Sequence, residues 1–342
     1  MFDTHFKTLP IDDVKVFYRQ AGDARRPTLV LLHGLPTSSH MFRDLIGRLA
    51  DRFHVLAPDY PGFGNSDCPE PEHFAYTFEN LSLVIERLLD TLGIDRLSFY
   101  MHGAGVPIGL RICTRRPSWI DSLIVQNGNA YGDGFTDATK PWFEFWQDRN
   151  PETEMAVKRF TTREGIVWQY MDGVRDRERI SPDAWNMDCV GLSRPMNGRI
   201  QLELLYDYRK NLEEYPRWHA YFREHQPPLL VLWGRNDPIF SVQGALAYQR
   251  DLRDVEFHLL DSGHFALEDC GYEIGQHVIC FLERVLVCGS HTVVEAGISA
   301  RPMVRGDCRG PAWRARRAGA DHGVRRWATT ARIGTFSQTQ GR

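Results

Sequence analysis

The chain predicts an α/β fold built on a mostly parallel, doubly wound sheet, and three observations carry that expectation. Short apolar runs bounded by glycine and proline turns alternate along it with amphipathic stretches of helical spacing, a pattern that places parallel strands between right-handed helical crossovers. Three of those runs end in unusual turns, at 33–36, 58–67 and 102–105, which delivers special backbone to one edge of a sheet. The length of 342 residues with 42% hydrophobic content is enough for one full core plus an insertion.

The elements follow in order. Residues 7–9 and 14–20 read as an edge hairpin turning at Asp12-Asp13. Residues 28–32 form an apolar strand running into His33-Gly34-Leu35-Pro36, with Ser38 and Ser39 as caps for an amphipathic helix over 40–50. A strand at 53–57 ends in the loop from Pro58 to Asp67. Residues 96–101 are a short buried strand and 105–114 carry helical apolar spacing through Val106, Ile108, Leu110, Ile112 and Cys113. From 131 to 225 the pattern becomes helical and aromatic, with Trp142, Phe143, Phe145, Trp146, Trp168, Trp185 and Trp218, which reads as an apolar lid. Residues 228–233 and 256–260 are further strands, and a helix is expected over 266–286.

The junction at 102–105 has the form of a nucleophile elbow, in which a strained turn with positive φ lifts a reactive side chain clear of the sheet edge. Placing the reactive position at 103 makes Gly105 the small residue required two positions on, and then the reactive side chain is missing, because Gly103 takes that conformation easily but cannot attack. Placing it at 102 makes His102 the reactive group and puts Tyr100 in a crowded position. A plain glycine turn describes these residues equally well in isolation. Upstream, the turn at His33-Gly34-Leu35-Pro36 aims backbone N–H groups at the same edge. With the N–H of Ala104, such donors would form an oxyanion hole. Asp237 lies just beyond the 228–233 strand, where a carboxylate orients an imidazole, and His264 follows the next strand in a glycine-flanked loop. Alone, Asp237-Pro238 is an ordinary turn; the order elbow, acid, histidine is what favours the pair.

With these segments in hand, residues 5–286 resemble the α/β-hydrolase family, most closely its epoxide-hydrolase-like and haloalkane-dehalogenase-like branch. His33-Gly34-Leu35-Pro36 resembles the oxyanion loop, Asp59 to Ser66 the Asp-x-Pro-Gly-x-Gly-x-Ser loop, Gly234 to Pro238 the acid segment and Gly263-His264-Phe265 the histidine segment. The resemblance implies an α/β-hydrolase core at 1–130 and 226–287 and a helical cap at 131–225 inserted after the sixth strand. It implies the oxyanion hole at Leu35 and Ala104, His264 as base, Asp237 as its acid, and an ester-forming aspartate at the position held by Gly103. Activity is therefore expected to be impaired or non-covalent, or lost in favour of a ligand-binding or scaffold role. Ala104 stands where a dehalogenase has a halide-binding tryptophan, and Leu35 where it has an asparagine, which disfavours dehalogenation. Epoxide opening needs acidic phenols over the pocket; the insertion offers Tyr170, Tyr206, Tyr208, Tyr215 and Tyr221, with Tyr170 and Tyr215 the expected pair. A small apolar substrate is expected, with no cofactor, no metal-ligand spacing and no phosphate-binding loop.

Residues 288–342 differ in kind. Ten arginines, three acids and no lysine give a net +7 there, which leaves −10 for the other 287 residues to reach the total of −3. Gly, Ala and Arg dominate without periodicity, so disorder is expected. A basic tail suits nucleic acid or anionic lipid, but no aromatic-interleaved motif supports nucleic-acid recognition, and an unselected extension is the simpler reading. Residues 1–25 hold no signal-like apolar core, no apolar run spans a membrane, and the seven cysteines contain no CxxC pair; a cytoplasmic protein with reduced thiols is expected.

Overall fold

A computed structural model describes residues 3–288; the basic tail expected beyond them lies outside the described residues. Eight strands form one sheet in the order β1-β2-β4-β3-β5-β6-β7-β8: β1 His5–Ile11, β2 Val14–Ala21, β3 Thr28–Leu32, β4 His54–Pro58, β5 Leu97–His102, β6 Ile120–Gln126, β7 Leu229–Gly234 and β8 Val255–Leu260. β2 pairs antiparallel with β1 and β4, and every pairing from β4 through β8 is parallel. Between them run α1 Arg43–Leu49, α2 Phe78–Thr91, α3 Gly105–Arg115, α10 Val242–Ala247 and α11 Leu267–Cys288. Strand residues alternate their faces, so Val30 and Leu32 pack into the layer holding α2 and α3, while Leu29 and Leu31 pack into the layer holding α1 and α11. All five residues of β4 and all six each of β5 and β7 are buried, as expected of strands covered on both sides.

Between β6 and β7 the chain leaves the sheet for six helices: α4 Lys140–Gln147, α5 Pro151–Lys158, α6 Arg163–Met171, α7 Pro182–Leu192, α8 Asn197–Asp207 and α9 Arg209–His225. Their aromatic side chains knit the insertion to the core: Phe135 meets Phe240 at 6.0 Å and Tyr170 stacks on Phe265 at 4.0 Å. One expected element is broken. The single helix over 40–50 divides into a 3-10 turn at Ser39–Phe42 and α1. Ser38 caps the turn by accepting from His40 N, but the Ser39 hydroxyl is engaged by Arg19 Nε at 3.0 Å and caps nothing.

Candidate functional site

The elbow falls at Gly103. It has φ +50°, the left-handed region, and directly joins β5 to the turn that opens α3. Gly105 is held to glycine by close approach, since a Cβ there would lie 2.4 Å from the Leu32 carbonyl oxygen. A Cβ on Gly103, by contrast, would meet nothing nearer than His264 Nε2, at 3.5 Å. The imidazole thus faces the spot from which a side chain at 103 would grow. His102, the other reading of the turn, ends β5 fully buried, and its Nε2 donates to the His264 carbonyl at 3.1 Å. Burial pushes its pKa well down, so the ring is a neutral prop behind the loop.

His264 and Asp237 come together. His264 Nδ1 lies 2.8 Å from Asp237 Oδ2, with 3% and 6% of the two residues exposed. Asp237 Oδ1 accepts from the backbone N–H of Ile239 at 2.7 Å and Phe240 at 3.1 Å. Its Oδ2 also accepts from Asn127 Nδ2 at 2.7 Å, while Asn127 Oδ1 accepts from Gly234 N at 2.9 Å. Asn127 carries φ +45°, a left-handed conformation rare outside glycine, immediately after β6. It went unnoticed in the sequence, where a single asparagine after a strand gives no signal beyond an ordinary turn.

The loop after β3 is fixed from below. His33 is fully buried; Tyr60 N donates to its Nε2 at 3.3 Å, its Nδ1 donates to the Gly34 carbonyl at 2.8 Å, and the Tyr60 hydroxyl donates to the His33 carbonyl at 2.9 Å. Burial lowers its pKa to about 3, so it stays neutral. Asp59 staples the neighbouring loop, accepting from Ser39 N at 2.7 Å and Asn65 N at 2.8 Å. These contacts set Leu35 and Pro36 at the wall of a cavity between the core and the insertion. The core lines it with Leu35, Pro36, Ala104, Ile239, Phe240 and His264, and the insertion with Trp142, Phe160, Thr161, Gln169, Gln201, Leu205 and Tyr208. Ala104 is the N-cap of α3, whose amide dipoles point toward this space. In the cavity wall, Trp142 Nε1 and the Tyr208 hydroxyl are buried and have no hydrogen-bond partner among the described residues.

Strand-elbow-helix, acid loop and histidine loop, in that chain order, meet at one sheet edge. Residues 27–269 match the model of the alpha/beta hydrolase fold. The chain belongs to that family. Among relatives, it is 40% identical over 279 residues to the uncharacterized hydrolase YNR064C of Saccharomyces cerevisiae, covering 80% of this chain and 93% of that protein. It is 30% identical over 299 residues to a haloalkane dehalogenase of Mesorhizobium japonicum, covering 82% and 91%. The solved structure of the epoxide hydrolase CorEH superposes with TM-score 0.68 at 19% identity, over 83% of this chain and all of that one. This α/β-hydrolase is thus similar over most of its length to a haloalkane dehalogenase, and it shares its fold with an epoxide hydrolase.

Two expected site residues of this family member do not reach the cavity. Tyr170 is buried with its hydroxyl donating to Asp188 Oδ2 at 2.7 Å and its ring flat against Phe265. Tyr215 packs against Trp218 at 5.3 Å and is not among the lining residues, although its hydroxyl is buried without a hydrogen-bond partner among the described residues and interacts electrostatically with Tyr208. Tyr208 lines the wall instead. In so aromatic an insertion, helical spacing alone does not tell which ring faces inward; the packing of six helices decides it.

Proposed function

We propose that this protein is a hydrolase of small apolar substrates in which His264 activates water directly, without a covalent enzyme intermediate. The observation that carries this reading is the 3.5 Å from His264 Nε2 to where a Gly103 Cβ would stand. A water molecule placed there needs to shift by only about half an ångström to reach the ~2.8–3.0 Å of a hydrogen bond. Asp237, held by three donors besides His264, fixes the ring with Nε2 turned to that water and stabilises the imidazolium once it forms. With an apolar epoxide in the cavity, the water oxygen bonds to a ring carbon, the ring C–O bond breaks, and the water proton passes to Nε2. The Tyr208 hydroxyl gives its proton to the ring oxygen and regains one from the imidazolium. With an ester, the N–H groups of Leu35 and Ala104 would face the tetrahedral oxyanion. The apolar lining of Leu35, Trp142, Phe160, Leu205 and Phe240 favours aryl or alkyl substrates.

The test is a single-turnover reaction of an aryl epoxide in ¹⁸O-water, with enzyme in excess, for the native chain and Gly103→Asp. Direct water attack puts ¹⁸O into the diol in the first turnover of the native enzyme. The aspartate variant instead transfers its own unlabelled carboxylate oxygen first. His264→Ala should abolish both. Unlabelled product from the native chain would identify another nucleophile. No native turnover on epoxides or activated esters, with turnover restored in Gly103→Asp, would mean that the chain keeps the pocket as a ligand-binding protein.

A further inference from the structure

Outside the cavity, the last strand and the last helix bring together three side chains that the sequence keeps 21 positions apart. β8 closes the sheet at one edge. Glu256 and His258, two apart on it, point to one face, and α11 lays His277 against the same face. One ligand atom from each of the three lies within 4.8 Å of the others. His258 Nε2 is 2.7 Å from Glu256 Oε1, and the His258 and His277 rings stack with centroids 3.5 Å apart. Glu273, one turn earlier on α11, holds Oε1 3.7 Å from His277 Nε2. The trio is neither at the surface tips nor sealed in: 26–31% of each side chain is exposed.

We propose that Glu256, His258 and His277 form a binding site for a divalent transition ion, zinc first among them, which clips β8 to α11. Two imidazoles and a carboxylate are a nitrogen-rich set that suits zinc, cobalt, nickel or copper rather than the oxygen-seeking magnesium and calcium. The local charge favours a cation, with Glu256, Glu273 and Asp254 set against the single Arg284. Arg284 Nη2 holds Glu256 Oε2 at 2.9 Å and fixes the carboxylate's direction, while Oε1, paired with His258 Nε2 at 2.7 Å, is the oxygen an ion would take. Two adjustments accompany binding. The proton that His258 shares with Glu256 moves to the other ring nitrogen, and the His277 ring turns out of the stack so that both lone pairs converge, with Glu273 or water completing four ligands.

The experiment is zinc titration by calorimetry of the full-length, chelator-treated protein beside His277→Ala, Glu256→Gln and the double variant His258→Ala/His277→Ala. One saturable site is expected in the native chain, weakened at least tenfold in each single variant and lost in the double one. Saturating zinc should raise the native Tm by about 3 °C or more, and leave that of the double variant unmoved. Bound cobalt should show a d–d spectrum without a thiolate charge-transfer band. Absence of saturable binding in the native chain, unchanged binding in the double variant, or a thiolate band would overturn the assignment; the last two would move the ion to other residues.

Discussion

Among single residues, Gly103 and Tyr208 carry the proposed reaction. Because a Cβ at 103 meets no atom nearer than 3.5 Å, the steric cost of Gly103→Asp is limited to its left-handed backbone, about 1 kcal/mol or somewhat more, and His264 faces the new carboxylate, so the variant should fold and the labelling comparison is practicable. Tyr208 and Trp142 each leave a buried donor unpaired beside the cavity, an arrangement unfavourable by about 1–3 kcal/mol per group unless a ligand supplies an acceptor. Tyr208→Phe should therefore reduce kcat/KM for an epoxide at least tenfold, whereas Tyr170→Phe and Tyr215→Phe should leave it within about threefold; steady-state kinetics on one substrate panel separates the three. Equal losses in all three would remove the assignment to Tyr208. Gly103, Asp237 and His264 were legible because each sits in a turn whose neighbours constrain it. Asn127 was not, since its importance comes from a partner 110 positions away.

Among elements, the junction of α6 and α7 carries a titrating contact. Asp188 on α7 is buried beneath the Tyr170 hydroxyl of α6, and burial raises its carboxyl to about 7. The unfolded chain binds that proton only below about 4. The protonated contact therefore contributes stability that is complete below pH 4 and is lost as pH rises through 7. Asp188→Asn stays neutral throughout, so its Tm relative to the native chain should be higher at pH 7.5 than at pH 5. A difference independent of pH would mean that Asp188 is ionised in the fold at both. Strand and helix positions were readable from periodicity to within a residue or two, as at β5 and α3. The break at Ser39–Phe42 was not, because Asp59, in the loop just past β4, and Arg19 on β2 claim the Ser39 backbone and hydroxyl. The trio proposed to bind a metal is hidden in the sequence for the same reason: Glu256 and His258 are two apart, but His277 joins them only once α11 folds back on the sheet.

For the whole molecule, three histidines kept neutral by burial set the response to acid. His33 is lowered to about 3, His40 to about 4, and His102 falls in the same direction. Unfolded, each takes a proton below about pH 6.5, so their contribution is complete above that value and is lost as pH falls toward the folded pKa. With His54, which burial lowers likewise, they outnumber the three carboxyls that burial raises, Asp59, Asp188 and Asp269. The urea midpoint at pH 5 should lie below that at pH 7.5; an equal or higher midpoint at pH 5 would mean that the rings are charged within the fold. Among the described residues no helix is long and apolar enough to cross a membrane. The staple in which Asn127 holds Gly234 and Asp237 has a broader meaning. It ties together the C-terminal ends of the two neighbouring parallel strands that the six-helix insertion connects, so the His264–Asp237 pair rests on the sheet and not on the insertion. If the proposed reaction holds, the insertion helices that line the cavity can diverge as an exchangeable cassette while the His264–Asp237 pair stays in register.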